Sequence, residues 1–242
     1  MHFIYILRMK NRKKLVALTG AGISAESGIT TFRDSGGLWE QYDVMEVASI
    51  EGWLNNPHLV QRFYNDRRKQ LGEVEPNAAH RILAELEKDF EVTVVTQNVD
   101  NLHERAGSKN IIHLHGELTK ARSSINPNLI VEVGYRTIEW GEKAPDGSQL
   151  RPHIVWFGEA VPMIETAAEK VSIADILLII GTSLNVYPAA GLVGYANRKA
   201  SIYLIDPNEV SYQGRNITVI REKATTGIQK FRDSIIPELH FF

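Results

Sequence analysis

Short, nearly continuous apolar runs recur along the chain: LVALT at 15–19, VTVVT at 92–96, IIHLH at 111–115, HIVWF at 153–157, ILLIIG at 176–181, SIYLID at 201–206 and ITVIRE at 217–222. A strand that is apolar on both faces must be covered on both. That favours a parallel sheet between layers of helices over an antiparallel sheet wetted on one side. Helical spacing fills several of the gaps: Leu83, Leu86 and Phe90 share one face, Met163, Ile164, Ala167, Ala168 and Val171 fill 163–173, and Ile228, Phe231 and Ile235 line one side of 225–236. The alternation predicts an α/β fold with a Rossmann-like open parallel sheet. It is interrupted by residues 34–80, rich in aromatic and charged side chains, and by 117–150, which carry NPN, APDGS and no long apolar helix. Those stretches predict a second, smaller lobe built from insertions. The whole of 1–242 then reads as one domain with its core from about 14–33, 81–116 and 151–236, a length that suits a single main core.

With 27 basic and 29 acidic side chains, the chain is not built to coat nucleic acid or an anionic membrane. No run approaches the roughly 18 apolar residues of a membrane span. The opening MHFIYILRMKNRKK has its basic cluster after a short apolar stretch and no small-residue cleavage site, so it does not read as a secretory signal, and Met9 is as good a start as Met1. The absence of cysteine excludes disulfides and thiolate metal sites and is compatible with a reducing, cytoplasmic setting.

LVALT stops at Gly20-Ala21-Gly22-Ile23-Ser24-Ala25, a G-x-G-x-x-A directly after a strand. Glycines there permit a tight turn and let backbone N–H groups approach a pyrophosphate, and the dipole of the following helix adds to the attraction. A plain strand-to-helix turn is the alternative. A dehydrogenase would continue to a second strand ending in an acid about 20 positions on. Here GITTFRDSGGLWEQYD, with Gly28, Arg33, Gly36 and Gly37, reads as a loop, which disfavours hydride transfer.

The other strand ends are polar as well. TQNVDNLH places Gln97, Asn98, Asp100, Asn101 and His103 beyond an apolar run, where open α/β sheets bind ligands, although Asp100 or Asn101 also suits an N-cap. HLHGE puts His113 and His115 on one strand face; a metal pair would lack a third ligand of suitable spacing, whereas His115 at a strand end suits a general base near neutral pH. GTSLNVYP offers a glycine and hydroxyls for a phosphate or ribose, or a helix cap, and RPHIVWFGE a strand with a Gly-Glu exit.

In this order GAGISAESGI, TFRD, TQNVDNLH, HLHGE, RPHIVWFGE, GTSLNVYP and a late ATTG make the chain resemble a sirtuin, an NAD-dependent protein-lysine deacylase, over roughly residues 14–236. FYNDRR is similar to the Tyr-x-x-Arg pair, here Tyr64 and Arg67, with which the bacterial desuccinylase-like class reads acidic acyl groups such as succinyl and malonyl. The resemblance implies that NAD is a co-substrate cleaved at its nicotinamide bond, that nicotinamide and O-acyl-ADP-ribose are released, and that the partners are acyl-lysine proteins. It implies a catalytic centre of His115, the general base, and Asn98. It implies NAD contacts from Gly20, Ala21, Gly22, Glu26, Ser27, Thr31, Phe32, Arg33, Trp39, Gln97, Asn98, Asp100, Gly181, Thr182, Ser183 and Ala224, with Asp206 or Asn208 at the adenosine ribose. On the substrate side it implies Ala48, which leaves room for a longer acyl chain, Tyr64 and Arg67. The main chain of Val155, Phe157, Gly158 and Glu159, opposite Val186, would receive the peptide as an added strand.

Most sirtuins carry two Cys-x-x-Cys pairs for a structural zinc in the segment matching 117–150. Here Ser123 and Ser124 stand there without any cysteine, so no zinc or other metal is expected. Leu129, Val131, Val133 and Tyr135, alternating with Ile130, Glu132, Gly134 and Arg136, predict a half-buried strand that packs the lobe instead. Zinc-free relatives that transfer ADP-ribose to protein tend to have lost the asparagine and histidine of the deacylation centre, and both are present here. A protein ADP-ribosyltransferase and a non-catalytic NAD or ADP-ribose sensor stand as alternatives.

Overall fold

The computed structural model describes residues 12–29, 42–210 and 216–239. Among them, six parallel strands lie in the order β3-β2-β1-β7-β8-β9. These are β1 (Lys14–Thr19), β2 (Glu91–Thr96), β3 (Ile111–His113), β7 (Ile176–Ile180), β8 (Ser201–Ile205) and β9 (Thr218–Ile220). Successive side chains point to opposite faces, and each face is covered. Leu15, Ala17, Val94 and Leu178 pack under α5 (Ala78–Leu86) and α8 (Ala224–Leu239), with Leu83, Leu86, Ile228, Phe231 and Ile235 in that layer. Val16, Leu18, Leu177 and Ile179 meet α7 (Ile164–Ser172) and a 3₁₀ segment, Ala189–Tyr195, through Ala167, Val171, Leu192 and Val193. The sheet and all three helices expected from the apolar spacing are present.

A second sheet, β5-β4-β6, is antiparallel: β4 (Gly116–Ser123) lies between β5 (Ile130–Glu132) and β6 (Leu150–Ile154). The run at 153–157 is therefore corrected: its strand belongs to the smaller sheet and ends at Ile154. Ile154 and Trp156 are buried while His153 and Val155 are half-buried, the period-2 pattern of a strand covered on one face. Ile154, Trp156 and Leu118 pack against Val60, Phe63, Tyr64 and Leu71 of α4 (Pro57–Glu73) and against Val47 and Trp53 of the short α2 (Val44–Val47) and α3 (Ile50–Asn55).

The far end of this lobe closes over Ala121, Val133, Ile138, Ala144 and Leu150. Of the strand expected over 129–136, Ile130–Glu132 pairs; Val131 and Val133 face the small core, and Tyr135 is exposed with its hydroxyl bonded by the Asn101 amide at 3.0 Å. At the end of β4, buried Ser123 makes a polar knot. Its Oγ donates to Asp146 at 2.6 Å, lies 2.8 Å from Ser148 Oγ, and accepts from the amides of Ile125 and Asn126 at 3.1 and 2.9 Å. The serine and carboxylate set does not fit a thiolate-type zinc centre.

Candidate active site

The parallel strands end level. Thr19 pairs with both Thr96 and Ile180, Thr96 with His113, and Ile180 with Ile205, so Gly20, Gln97, Leu114, Gly181 and Asp206 each stand one residue past the same line. Between β1 and β7 the strand order reverses, which opens a crevice at the carboxyl ends. The loops after these strands cross almost in backbone contact. A Cβ on Gly20 would lie 2.7 Å from Gly181 O, one on Gly22 2.6 Å from Gly181 Cα, and one on Gly181, whose φ is +63°, 2.4 Å from Ile23 N. Gly22 N–H donates to Gly181 O at 2.9 Å. The glycines expected to admit a phosphate are thus required first by the crossing itself.

A buried polar cluster underlies the crossing. Asn98 Nδ2 donates to Gly20 O and to Ser24 Oγ, each at 3.1 Å, and Ser24 Oγ donates to Asp100 Oδ2 at 2.9 Å. Asp100 Oδ1 also accepts from the Leu102 amide at 3.1 Å, so one carboxylate joins the polar cluster to the start of the next helix. Burial raises the Asp100 pKa, only partly countered by the Leu102 amide and the Ser24 hydroxyl. Gln97 Nε2 donates to Thr182 Oγ1 at 3.2 Å, tying the β2 exit to the β7 exit. Behind them His103 Nε2 lies 3.1 Å from Thr19 Oγ1 and His80 Nε2 3.5 Å from Ser24 Oγ. Burial drives both imidazoles towards neutrality, His80 to about 4 and His103 well below its usual value. Ser24 and His80 carry no local signal of this contact, because serine and histidine inside helical patterns have many other causes.

His113 and His115 turn to successive carbonyls. His113 Nδ1 donates to Asn98 O at 3.2 Å and its Nε2 meets Glu104 Oε1 at 2.7 Å. Burial opposes charge on His113, yet the bond and charge of Glu104 outweigh it and raise its pKa. Glu104, His113 and Glu117 bring three potential ligand atoms within 4.8 Å, carboxylates that sequence spacing did not reveal. Both carboxylates already have partners, Glu104 in the His113 ring and Glu117 in the Lys120 ammonium, each at 2.7 Å. His115 Nδ1 lies 2.9 Å from Gln97 O. A carbonyl only accepts, so Nδ1 holds the proton and Nε2 of the neutral ring keeps its lone pair. Burial lowers the His115 pKa, opposed by that bond.

On the lobe side Ala48 and Tyr64 are buried, with the Tyr64 hydroxyl accepting from Trp156 Nε1 at 3.0 Å. Burial pushes the Tyr64 phenol up to about 12. The Arg67 Nε is buried, its guanidinium lies 5.7 Å from the Phe63 ring centroid, and burial lowers its pKa against the attraction of Tyr64 and Asp100. The neighbouring Arg68 is fully buried, donating to Leu118 O and Asn65 Oδ1, each at 2.7 Å. Along 155–159, Val155 N–H donates to His115 O and Phe157 uses its N–H on Ala48 O and its C=O for Ile50 N–H. The Phe157 side chain is exposed beside a Gly158 in the left-handed region, φ +89°, and Val186 is exposed. Glu159 turns inward to Arg122 and Arg151.

The remaining expected contacts scatter. Glu26 accepts from the Thr225 amide and hydroxyl at 3.0 and 2.9 Å, at the start of α8 beside buried Ala224, and Ser27 Oγ accepts from Asn77 at 3.0 Å. Ala21 and Ser183 are half-buried in the two crossing loops. Asp206 is buried at the end of β8 and accepts from the amide of exposed Asn208 at 2.9 Å. Thr31, Phe32, Arg33 and Trp39 lie outside the described residues.

A family model described as the Sir2 family matches residues 20–188. An NAD-dependent protein deacylase of Bacteroides thetaiotaomicron is 61% identical over 231 residues, covering 93% of this chain and 99% of the relative. One of Helicobacter pylori is 55% identical, covering 93% and 98%. Among solved structures, a Sir2 homologue in complex with NAD superposes with a TM-score of 0.83 at 37% identity, covering 99% of this chain and 95% of the other. A mutant Sir2 homologue in complex with ADP-ribose gives 0.84 at 36%, covering 100% and 99%.

Proposed function

The chain belongs to the Sir2 family, and from that premise we propose that it is an NAD-dependent protein deacylase preferring lysine acyl groups that end in a carboxylate. The observation that carries the deacylase reading is His115. A neutral imidazole with its Nδ1 proton fixed on Gln97 O presents a basic Nε2 at the carboxyl edge of a parallel sheet. The crossing of Gly20, Gly22 and Gly181 excludes side chains where a dinucleotide would approach backbone, and Gln97, Asn98 and Asp100 put polar groups at its nicotinamide end. Bound NAD would supply an electrophilic ribose carbon for the acyl oxygen, with the bond to nicotinamide breaking and nicotinamide leaving with its electron pair. His115 Nε2 removes a ribose hydroxyl proton, while Asn98 and Asp100 hold the pocket through Ser24.

Acyl choice rests on Tyr64 and Arg67. Because the Tyr64 oxygen accepts from an indole, which only donates, the phenol keeps its own O–H to give to a carboxylate beside the Arg67 guanidinium. The peptide is received along 155–159 opposite Val186. There, among the described residues, the Val155 carbonyl and Gly158 amide are without partners, so they are offered rather than the main chain of Phe157. Acetyl-lysine remains a poorer substrate. Mass spectrometry of products from succinyl-, malonyl- and acetyl-lysine peptides with NAD is the test, run on wild type and Arg67→Met. A desolvated charged hydrogen bond of about 1.5–3 kcal/mol corresponds to a loss of roughly 10- to 150-fold in succinyl kcat/KM in the variant. An equal decline on acetyl-lysine would remove the acyl-reading role. Peptide carrying ADP-ribose in place of freed lysine would remove the deacylase.

A further inference from the structure

We infer that Trp156 is a positioning residue for acyl selectivity: its indole N–H fixes the Tyr64 phenol as a hydrogen-bond donor towards the acyl carboxylate, and an ion pair between buried Arg151 and half-buried Glu159 clamps the indole in place. The inference rests on the acidic-acyl reading of Tyr64 and Arg67.

Trp156 and Tyr64 are both buried, and the Nε1–O distance of 3.0 Å joins a group that can only donate to one that can do either. With one lone pair engaged by the indole, the phenol keeps its proton free to donate. A phenol turned the other way would present a lone pair to the incoming carboxylate and repel it. Burial pushes the phenol up to about 12, so the proton stays on oxygen throughout the neutral range.

The indole cannot follow the phenol if the phenol rotates, because it is held on other sides. The Arg151 guanidinium carbon lies 3.5 Å from the Trp156 ring centroid, and Trp53 packs at 5.3 Å with a 31° tilt. Arg151 is itself fixed by two bonds to Glu159, at 2.8 and 3.0 Å, and one to Ile154 O at 3.1 Å. Glu159 also accepts from the Trp156 main-chain N–H at 2.9 Å, so the same carboxylate grips the residue and its stacking partner. A flat guanidinium over an indole is the strong form of the cation–π contact. Arg122 adds a further bond to each Glu159 oxygen at 3.1 Å. Two arginines against one carboxylate leave net positive charge beneath the acyl end of the cleft, which favours an acidic acyl group there.

The test measures kcat and KM for succinyl- and acetyl-lysine peptides with wild type, Trp156→Phe, Tyr64→Phe and the double variant, each checked for melting temperature. Phenylalanine keeps the ring under Arg151 and removes only the N–H. A neutral hydrogen bond's contribution corresponds to about a fivefold fall in the succinyl-to-acetyl ratio of kcat/KM, carried by the succinyl KM. In the Tyr64→Phe background the second change is expected to leave the ratio where Tyr64→Phe put it. A Trp156→Phe enzyme that loses both substrates equally, or keeps the wild-type ratio, or adds its full effect to Tyr64→Phe, overturns the inference while leaving the acidic-acyl reading standing. Wild type with no succinyl preference overturns both.

Discussion

Replacing Gly22 by alanine tests whether the glycine loop is glycine because strands cross there. The new Cβ would sit 2.6 Å from Gly181 Cα, 2.9 Å from Gly181 O and 3.1 Å from Gly181 C. Carbon atoms pack best at about 3.5–4.0 Å, so the two loops must part by about 0.9 Å, and the obstacle is backbone that cannot rotate away. Parting them strains the Gly22 N–H to Gly181 O bond of 2.9 Å and the Gly20 N–H to Ile180 O bond of 3.0 Å. Overpacking of this kind costs about 1–3 kcal/mol and a weakened hydrogen bond about 1 kcal/mol more. At about 2–4 °C per kcal/mol for a domain of this size, the melting temperature falls by roughly 5–15 °C. Because Asn98 donates to Gly20 O, the buried polar cluster moves too, and nicotinamide release is expected to slow. Thermal unfolding with Gly194→Ala as control is the assay, since a Cβ on Gly194 meets nothing within 4 Å. If both variants melted within about a degree of wild type, the crossing would be slack and the argument from contact refuted.

His115→Ala is expected to lower deacylation by about 10²- to 10⁴-fold while leaving the shift of melting temperature by NAD largely intact, a combination read from steady-state rates and thermal scans. In the wild type, burial holds the His115 pKa below its ordinary 6.5, so kcat/KM should rise with pH through that lowered value and be level by neutrality; a rise centred above pH 7 contradicts this. For stability, His80 is depressed to about 4 when folded against 6.5 free, so the unfolded chain binds the extra proton between those values. Stability is full above about pH 6.5 and falls on acidification towards pH 4, by on the order of 3 kcal/mol, measurable by urea unfolding of wild type against His80→Gln. Ser123→Ala, which leaves the Ile125 and Asn126 amides without their acceptor, is expected to destabilise by about 1–2 kcal/mol. An unchanged urea midpoint would show that the polar knot does not hold the lobe.

The parallel sheet was legible because β1, β2, β7 and β8 are apolar on both faces, a pattern with few other causes. The run at 153–157 was misplaced because a short apolar stretch does not declare which sheet it joins; only the burial of Ile154 and Trp156, alternating with His153 and Val155, distinguishes one covered face from two. Residues that stand just past a strand announced themselves, as Asn98 and His115 did, since polar groups after an apolar run need a reason. Tyr64 and Arg67 stood out through the family resemblance, since an i, i+3 spacing that shares one helix face suits core packing and a solvated charge equally well.

Residues whose role is set by a distant partner stayed silent. Trp156 sits in an apolar run and reads as core, and the phenol that uses its N–H is 92 residues away; Ser24 and His80 meet across 56. Glu159 read as part of a main-chain exit, whereas its side chain pairs with arginines on β4 and β6. A buried indole donor or carboxylate has to find its complement or be destabilising. What sequence cannot supply is which complement the topology brings near. Here the small antiparallel sheet, inserted between strands of the parallel one, carries Arg122, Arg151 and the Trp156 turn to the flank of α4, where Tyr64 already faces. On the proposed reading, the Tyr64 phenol takes its orientation from a residue carried by a sheet to which it does not belong, and selectivity would then change through residues that never touch the acyl group.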